Sequence, residues 1–128
     1  MCFKTLQKNK DVSILLLRLA VAGVFLAHGY MKFQNFDSLP AIMKILAIAE
    51  PLGGAAMVIG VLTRWAAVGL SIIMLGAIYT KITGMGVGFT GPGAGWEFDL
   101  LILMSCVMIM TMGAGKYSVD AKIGWDKV

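Results

Sequence analysis

A chain of 128 residues that is 59% hydrophobic and only 14% charged does not have the make-up of a soluble domain, which carries about 25% charged residues and, when this short, exposes much of its surface to water. Lipid is the expected solvent, and the length allows one domain, 1–128. The net charge of +4 is spread along the chain with no basic patch among aromatic residues, which sets nucleic acid aside as a partner.

Four apolar runs, Val12–Tyr30, Leu39–Leu62, Trp65–Thr80 and Phe98–Ala114, organise the sequence, and each is predicted to lie in a membrane-spanning helix, about 12–30, 39–62, 64–82 and 97–114. The first two reach the 17–25 residues that a helix needs to cross the hydrocarbon core; the last two are short and borrow flanking residues. Backbone in hydrocarbon must satisfy its own hydrogen bonds, and the runs lack the strict alternation of barrel strands. Tyr30, Trp65, Tyr79 and Trp96 fall near the run ends, where an aromatic belt sits. Asp37, Ser38 and Pro40 mark a helix start. The second and third helices are joined through Thr63 and Arg64, which forces a hairpin. Between the third and fourth, residues 81–97 hold Gly84, Gly86, Gly88, Gly91, Pro92, Gly93 and Gly95 and cannot be helical throughout; Met85, Val87, Phe89 and Trp96 suggest that this loop packs on the bundle mouth. No repeat of 20–50 residues is visible.

The fold class is therefore all-α, an integral membrane four-helix bundle. With four spans, Lys4, Lys8, Lys10, Arg64, Lys116, Lys122 and Lys127 share a side against Lys32 and Lys81. The positive-inside rule then puts both termini in the cytoplasm, in contact with anionic membrane lipids. Arg18 within the first run, and the length of that run, argue against a cleaved signal peptide.

Chemistry is expected at ionisable residues inside the spans, which are costly there and normally paired. Arg18 lies two turns into the first helix and Glu50 near the middle of the second, so the two are expected to form a buried ion pair. Pro51 after Glu50 frees the Ala47 carbonyl, and Gly53, Gly54 and Gly60 allow close helix approach. A second cluster is expected at the outer mouth: His28 and Lys32 on one helix face, Lys44, Glu97 and Asp99. The single histidine and the absence of ligand spacing argue against a metal. Cys2 and Cys106 form no disulfide framework; Cys106 and Asp99 share a helix face. Candidate substrate-binding residues are Arg18, His28, Lys32, Glu50, Glu97 and Asp99, and His28 and Glu50 are the candidates for any catalytic step, His28 as the proton handler.

Leu17-Arg18-Leu19, His28-Gly29 with Lys32, Glu50 with Gly53-Gly54, the Gly60-Val61-Leu62-Thr63-Arg64 turn and the closing Gly113-Ala114-Gly115-Lys116-Tyr117-Ser118-Val119-Asp120 occur in an order and spacing that resembles the DoxX family of four-helix prokaryotic membrane proteins, over about residues 12–120. The resemblance implies a multi-pass protein of the inner (plasma) membrane. It implies an accessory subunit of a membrane redox complex handling quinone or small thiol and sulfur compounds, in thiol and oxidative-stress defence. Bound quinone is the cofactor to look for, none being intrinsic, with redox-protein partners or a homo-oligomer around it. The chain has no CxxC, haem-ligand histidine pair or flavin fingerprint, so it is not expected to be a self-sufficient oxidoreductase. Two alternatives stand beside that reading: a small transporter or a lipid- or small-molecule-binding membrane protein, and a non-catalytic assembly or scaffold factor.

Overall fold

Four apolar helices pack as an up-down-up-down bundle in the computed structural model, which describes residues 2–91, 93 and 95–125. A short helix α1 (Cys2–Lys8) leads into α2 (Lys10–Phe33), and α3 (Ala41–Ile59) returns. Helix α4 (Thr63–Tyr79) runs on into a π-helical turn (Thr80–Gly84), α5 (Glu97–Met112) returns, and α6 (Val119–Ile123) follows. Lys127 and Pro92, used above for orientation and for the loop, lie outside the described residues.

The helix ends follow local chemistry. Helix α2 extends beyond its apolar run at both ends because Lys10, Asp11 and Lys32 are helix-compatible and can project from the lipid. Helix α3 starts one residue after Pro40, whose carbonyl accepts the Lys44 N–H at 3.1 Å. It stops at Gly60, at φ +77°, a left-handed cap that glycine adopts without penalty. A Cβ there would also sit 2.5 Å from Ser118 Cβ and 2.6 Å from an Arg18 nitrogen, so both the turn and the close approach require glycine.

Three stretches, Lys10–Phe33, Ala41–Ile59 and Thr63–Gly84, are long and apolar enough to cross a membrane. Helix α5 has 16 residues, about 24 Å at 1.5 Å per residue, and is the short member. Inside the bundle Val21, Phe25, Met57, Leu70, Cys106 and Ile109 form the core. Outside it Leu16, Ile45, Leu52, Ile72, Leu75 and Leu101 are each more than half exposed. Helices apolar on both faces would leave patches that a water-soluble monomer does not carry; a bilayer covers them. Lipid supplies no hydrophobic drive between helices, so association depends on close packing, as where Pro51 of α3 sits against Gly29 of α2, 2.6 Å from where a Cβ would be.

The bundle contains a repeat that inspection of the sequence did not reveal. In α2 the buried positions include Ile14, Arg18, Val21, Ala22 and Phe25; in α4 they are Thr63, Ala67, Leu70, Ser71 and Met74. Each of the second set lies 49 residues after its counterpart (63 − 14 through 74 − 25). Buried Glu50, Gly54 and Met57 of α3 map by the same step onto buried Asp99, Leu103 and Cys106 of α5. The two hairpins, α2–α3 and α4–α5, run in the same sense and pack more extensively within themselves than against each other. They are thus related by a pseudo-two-fold axis along the bundle, the parallel type of membrane repeat. Residue identities differ at every one of these positions, so the repeat resides in which faces are buried.

Candidate functional site

Each hairpin carries one lysine–carboxylate pair toward the end of the bundle opposite the α3–α4 turn. Lys32, in the last turn of α2, donates from Nζ to both Glu50 carboxylate oxygens at 2.6 Å. The Glu50 side chain is 4% exposed and that of Lys32 19%, so the carboxylate is buried while the ammonium remains reachable from the mouth. The Gly29–Pro51 contact holds α2 and α3 together beside this pair. Pro51 also has no N–H for the buried Ala47 carbonyl, which opens polar backbone one turn from Glu50.

In the second hairpin Lys81 donates to Asp99 Oδ2 at 2.5 Å, with the side chains 22% and 11% exposed. Both pairs are 18 residues apart in sequence and are related by the 49-residue step (81 − 32 and 99 − 50). Lys81 belongs to the π-helical turn, a wider coil that rotates the lysine relative to a regular continuation of α4.

The expected Arg18–Glu50 pair is not what the structure forms. Arg18 is 0% exposed and reaches the opposite end of α3. Its Nε donates to the Met57 carbonyl at 3.0 Å and Nη2 to Val58 at 3.1 Å, while Nη1 donates to Ala114 at 3.0 Å and Tyr117 at 2.7 Å. Met57 lies seven residues beyond Glu50, about 10 Å along a helix. The sequence fixes the two residues' positions along their helices but leaves open which way a long guanidinium extends. The C-terminal carbonyls of α3 attract it, because they lack helical donors and carry the negative end of the helix dipole.

Around Arg18 the turn after α3 and the segment after α5 lock together. Asp120 accepts the Leu62 N–H on Oδ1 and the Thr63 N–H on Oδ2, both at 2.8 Å, and its own N–H donates to the Gly60 carbonyl. The carboxylate thereby caps the N-terminus of α4 and holds Leu62 at φ +48°, a left-handed conformation that costs a side chain about 1–2 kcal/mol. Arg64 Nη1 donates to the Met110 and Thr111 carbonyls at the end of α5, as Arg18 does at the end of α3. The glycine-flanked motifs therefore assemble the end of the bundle that carries both termini. Sequence reasoning quoted Asp120 within a motif but missed its role, which depends on α6 folding back on the α3–α4 turn.

The remaining candidates of the cluster expected at the outer mouth do not come together. His28 is exposed, with its Nδ1–H donating to the Val24 carbonyl at 2.8 Å, which turns Nε2 outward. Glu97 is exposed in the first turn of α5, where a carboxylate is favoured by the helix dipole. The Lys44 ammonium lies 5.5 Å from the centroid of the Phe36 ring. The loop folds on itself: Phe89 meets Trp96 edge to face at 4.8 Å, and Glu97 donates its N–H to the Phe89 carbonyl. Cys106 and Asp99 both face the interior from α5, and Cys2 is exposed. Among the described residues no three His, Cys, Asp or Glu side chains gather as a metal site would require.

Comparison with known proteins adds a family. The family model described as DoxX matches residues 13–83. An uncharacterised membrane protein of Mycobacterium tuberculosis is 33% identical over 132 residues, covering 87% of this chain and 81% of its own. CatD of Bacillus subtilis, named as a proposed oxidoreductase, is 29% identical over 90% of each chain. An uncharacterised protein of Haemophilus influenzae is 28% identical over 91% of this chain and 95% of its own. No solved structure matches.

Proposed function

The chain belongs to the DoxX family of multi-pass bacterial membrane proteins, and we propose that it serves as an accessory membrane subunit of a redox complex, holding a quinone or a small thiol or sulfur compound at Lys32 and Glu50. The observation that carries this reading is the buried Glu50 carboxylate with a reachable Lys32 ammonium on it. Such a pair offers a ligand both a charged donor and a charged acceptor, each stronger than its neutral equivalent. The ammonium suits a quinone carbonyl, a thiolate or a sulfur oxyanion; the carboxylate suits a hydroquinone hydroxyl. His28, one turn before Lys32 and exposed, is placed to pass a proton between ligand and water.

Electrons come from a partner protein in this scheme, since Cys2 and Cys106 lie on different helices, one exposed and one in the core. The name of the Bacillus subtilis relative supports the redox direction. A purely architectural role for the pair, fastening α2 to α3, is the competing account, and buried pairs often do no more. Mass spectrometry of small molecules extracted from protein purified in mild detergent separates the two. Folded wild type is expected to release a quinone or a thiol or sulfur compound that folded Lys32→Met does not. Folded wild type that releases nothing specific would overturn the ligand role.

A further inference from the structure

The pseudo-two-fold axis relates the α3–α4 seam to the α2–α5 seam, and the two seams end differently. At the end that carries the termini, the α3–α4 seam is closed by the covalent turn Gly60–Leu62, with Asp120 seated on it. No turn joins α5 to α2. In its place lies an open cleft of about 410 Å³, lined by Lys10, Asp11, Ile14, Met112, Lys116 and Ala121.

We propose that this cleft binds one anionic phospholipid, with the phosphate on Lys10 and Lys116 and the upper acyl chain along Ile14 and Met112. Three observations point to lipid. The volume falls within the range of small-molecule sites, roughly 300–1,000 Å³. The lining is split between two exposed lysines, Lys10 and Lys116, and the apolar side chains of Ile14 and Met112, as a phospholipid is itself split. The one acid in the lining, Asp11, accepts the Lys116 N–H on Oδ1 at 3.1 Å, which fixes the Lys116 backbone at the cleft, and two lysines against this one acid leave the lining net positive. Helix α1, beside the N-terminus of α2, adds Lys4 and Lys8, with exposed Phe3 and Leu6 suited to lie in the same interface.

Native mass spectrometry of the purified protein, titrated with phosphatidylglycerol and separately with phosphatidylcholine, tests the proposal. Wild type is expected to bind one phosphatidylglycerol in preference to phosphatidylcholine. Each lysine near an anionic headgroup contributes about fivefold, so Lys10→Ala with Lys116→Ala should weaken that binding roughly 25-fold. Both side chains are exposed, so the variant should keep its thermal midpoint. Ala121→Trp retains every charge but fills the cleft, and should lose the lipid as well; Lys44→Ala, at the other end, should not. Unchanged affinity in the lysine variant overturns the site. Loss in the lysine variant with retention in Ala121→Trp overturns the cleft in favour of diffuse charge. Full displacement of the lipid by excess inorganic phosphate overturns the lipid in favour of a free anion.

Discussion

Replacing Arg18 with leucine should be the most damaging single change in the bundle. The guanidinium donates to four main-chain carbonyls, those of Met57, Val58, Ala114 and Tyr117. A hydrogen bond to a charged group is worth roughly 1.5–3 kcal/mol. Even the low end of that range gives about 6 kcal/mol for four bonds, comparable with the whole net stability of an ordinary domain, about 5–15 kcal/mol. Water cannot replace the lost donor at the Met57 and Ala114 carbonyls, since both residues, like Arg18, are 0% exposed. Arg18→Lys keeps the charge but cannot span two separate segments with one nitrogen, and should lose about half as much. Thermal unfolding in detergent, read with size-exclusion chromatography, provides the comparison. Arg18→Leu is expected to give little monodisperse protein and Arg18→Lys an intermediate midpoint. A midpoint for Arg18→Leu within a few degrees of wild type would refute this account of the four-carbonyl staple. Recovery of Arg18→Leu by Glu50→Gln would refute the assignment of Glu50 to Lys32.

A double-mutant cycle between Lys32→Met and Glu50→Gln should show a coupling of at least about 1 kcal/mol, while the Arg18–Glu50 cycle stays additive within about 0.5 kcal/mol, as separated sites do. Gly60→Ala combines a left-handed φ with contact against Ser118 and Arg18 and should lower stability by more than the roughly 1–2 kcal/mol of the backbone term alone. Asp120→Asn keeps one acceptor of two at the start of α4 and should cost about 1 kcal/mol, visible as a small drop in thermal midpoint. We propose that both termini are cytoplasmic: a membrane-impermeant thiol reagent applied from outside should label a cysteine at Gly91 and spare one at Lys122, and the reverse pattern would invert the topology.

Much of the architecture was legible because membrane helices declare themselves by composition. The apolar runs placed four helices, and Pro40 marked a start that the backbone respects, whereas the second helix, expected to reach residue 62, stops at Ile59 because Gly60 turns left-handed. What was not legible concerns direction and rotation. Heights along helices suggested Arg18 as the partner of Glu50, but a long side chain can extend either way, and the unsatisfied carbonyls at the end of α3 draw it away. Lys32, at the helix end, was assigned to the mouth although its flexible stem lets the ammonium turn inward to a buried carboxylate. His28, one turn earlier on the same face, cannot do so with its short, rigid ring, and stays outside. The repeat escaped notice because almost no residue identity survives between the hairpins. The recurrence of a lysine 18 residues before an acid, at Lys32 and again at Lys81, was the available signal. The role of Asp120 depends on a contact between segments 58 residues apart, which no local pattern encodes.

Calorimetric titration of a soluble short-chain quinone into protein reconstituted in nanodiscs tests the proposed ligand role of Lys32 and Glu50 most directly. Wild type is expected to bind it saturably, and Glu50→Gln to bind at least about tenfold more weakly, a difference of about 1.4 kcal/mol, with its fold intact. Binding of equal strength in wild type and folded Glu50→Gln, or none in either, would contradict Lys32 and Glu50 as a quinone site.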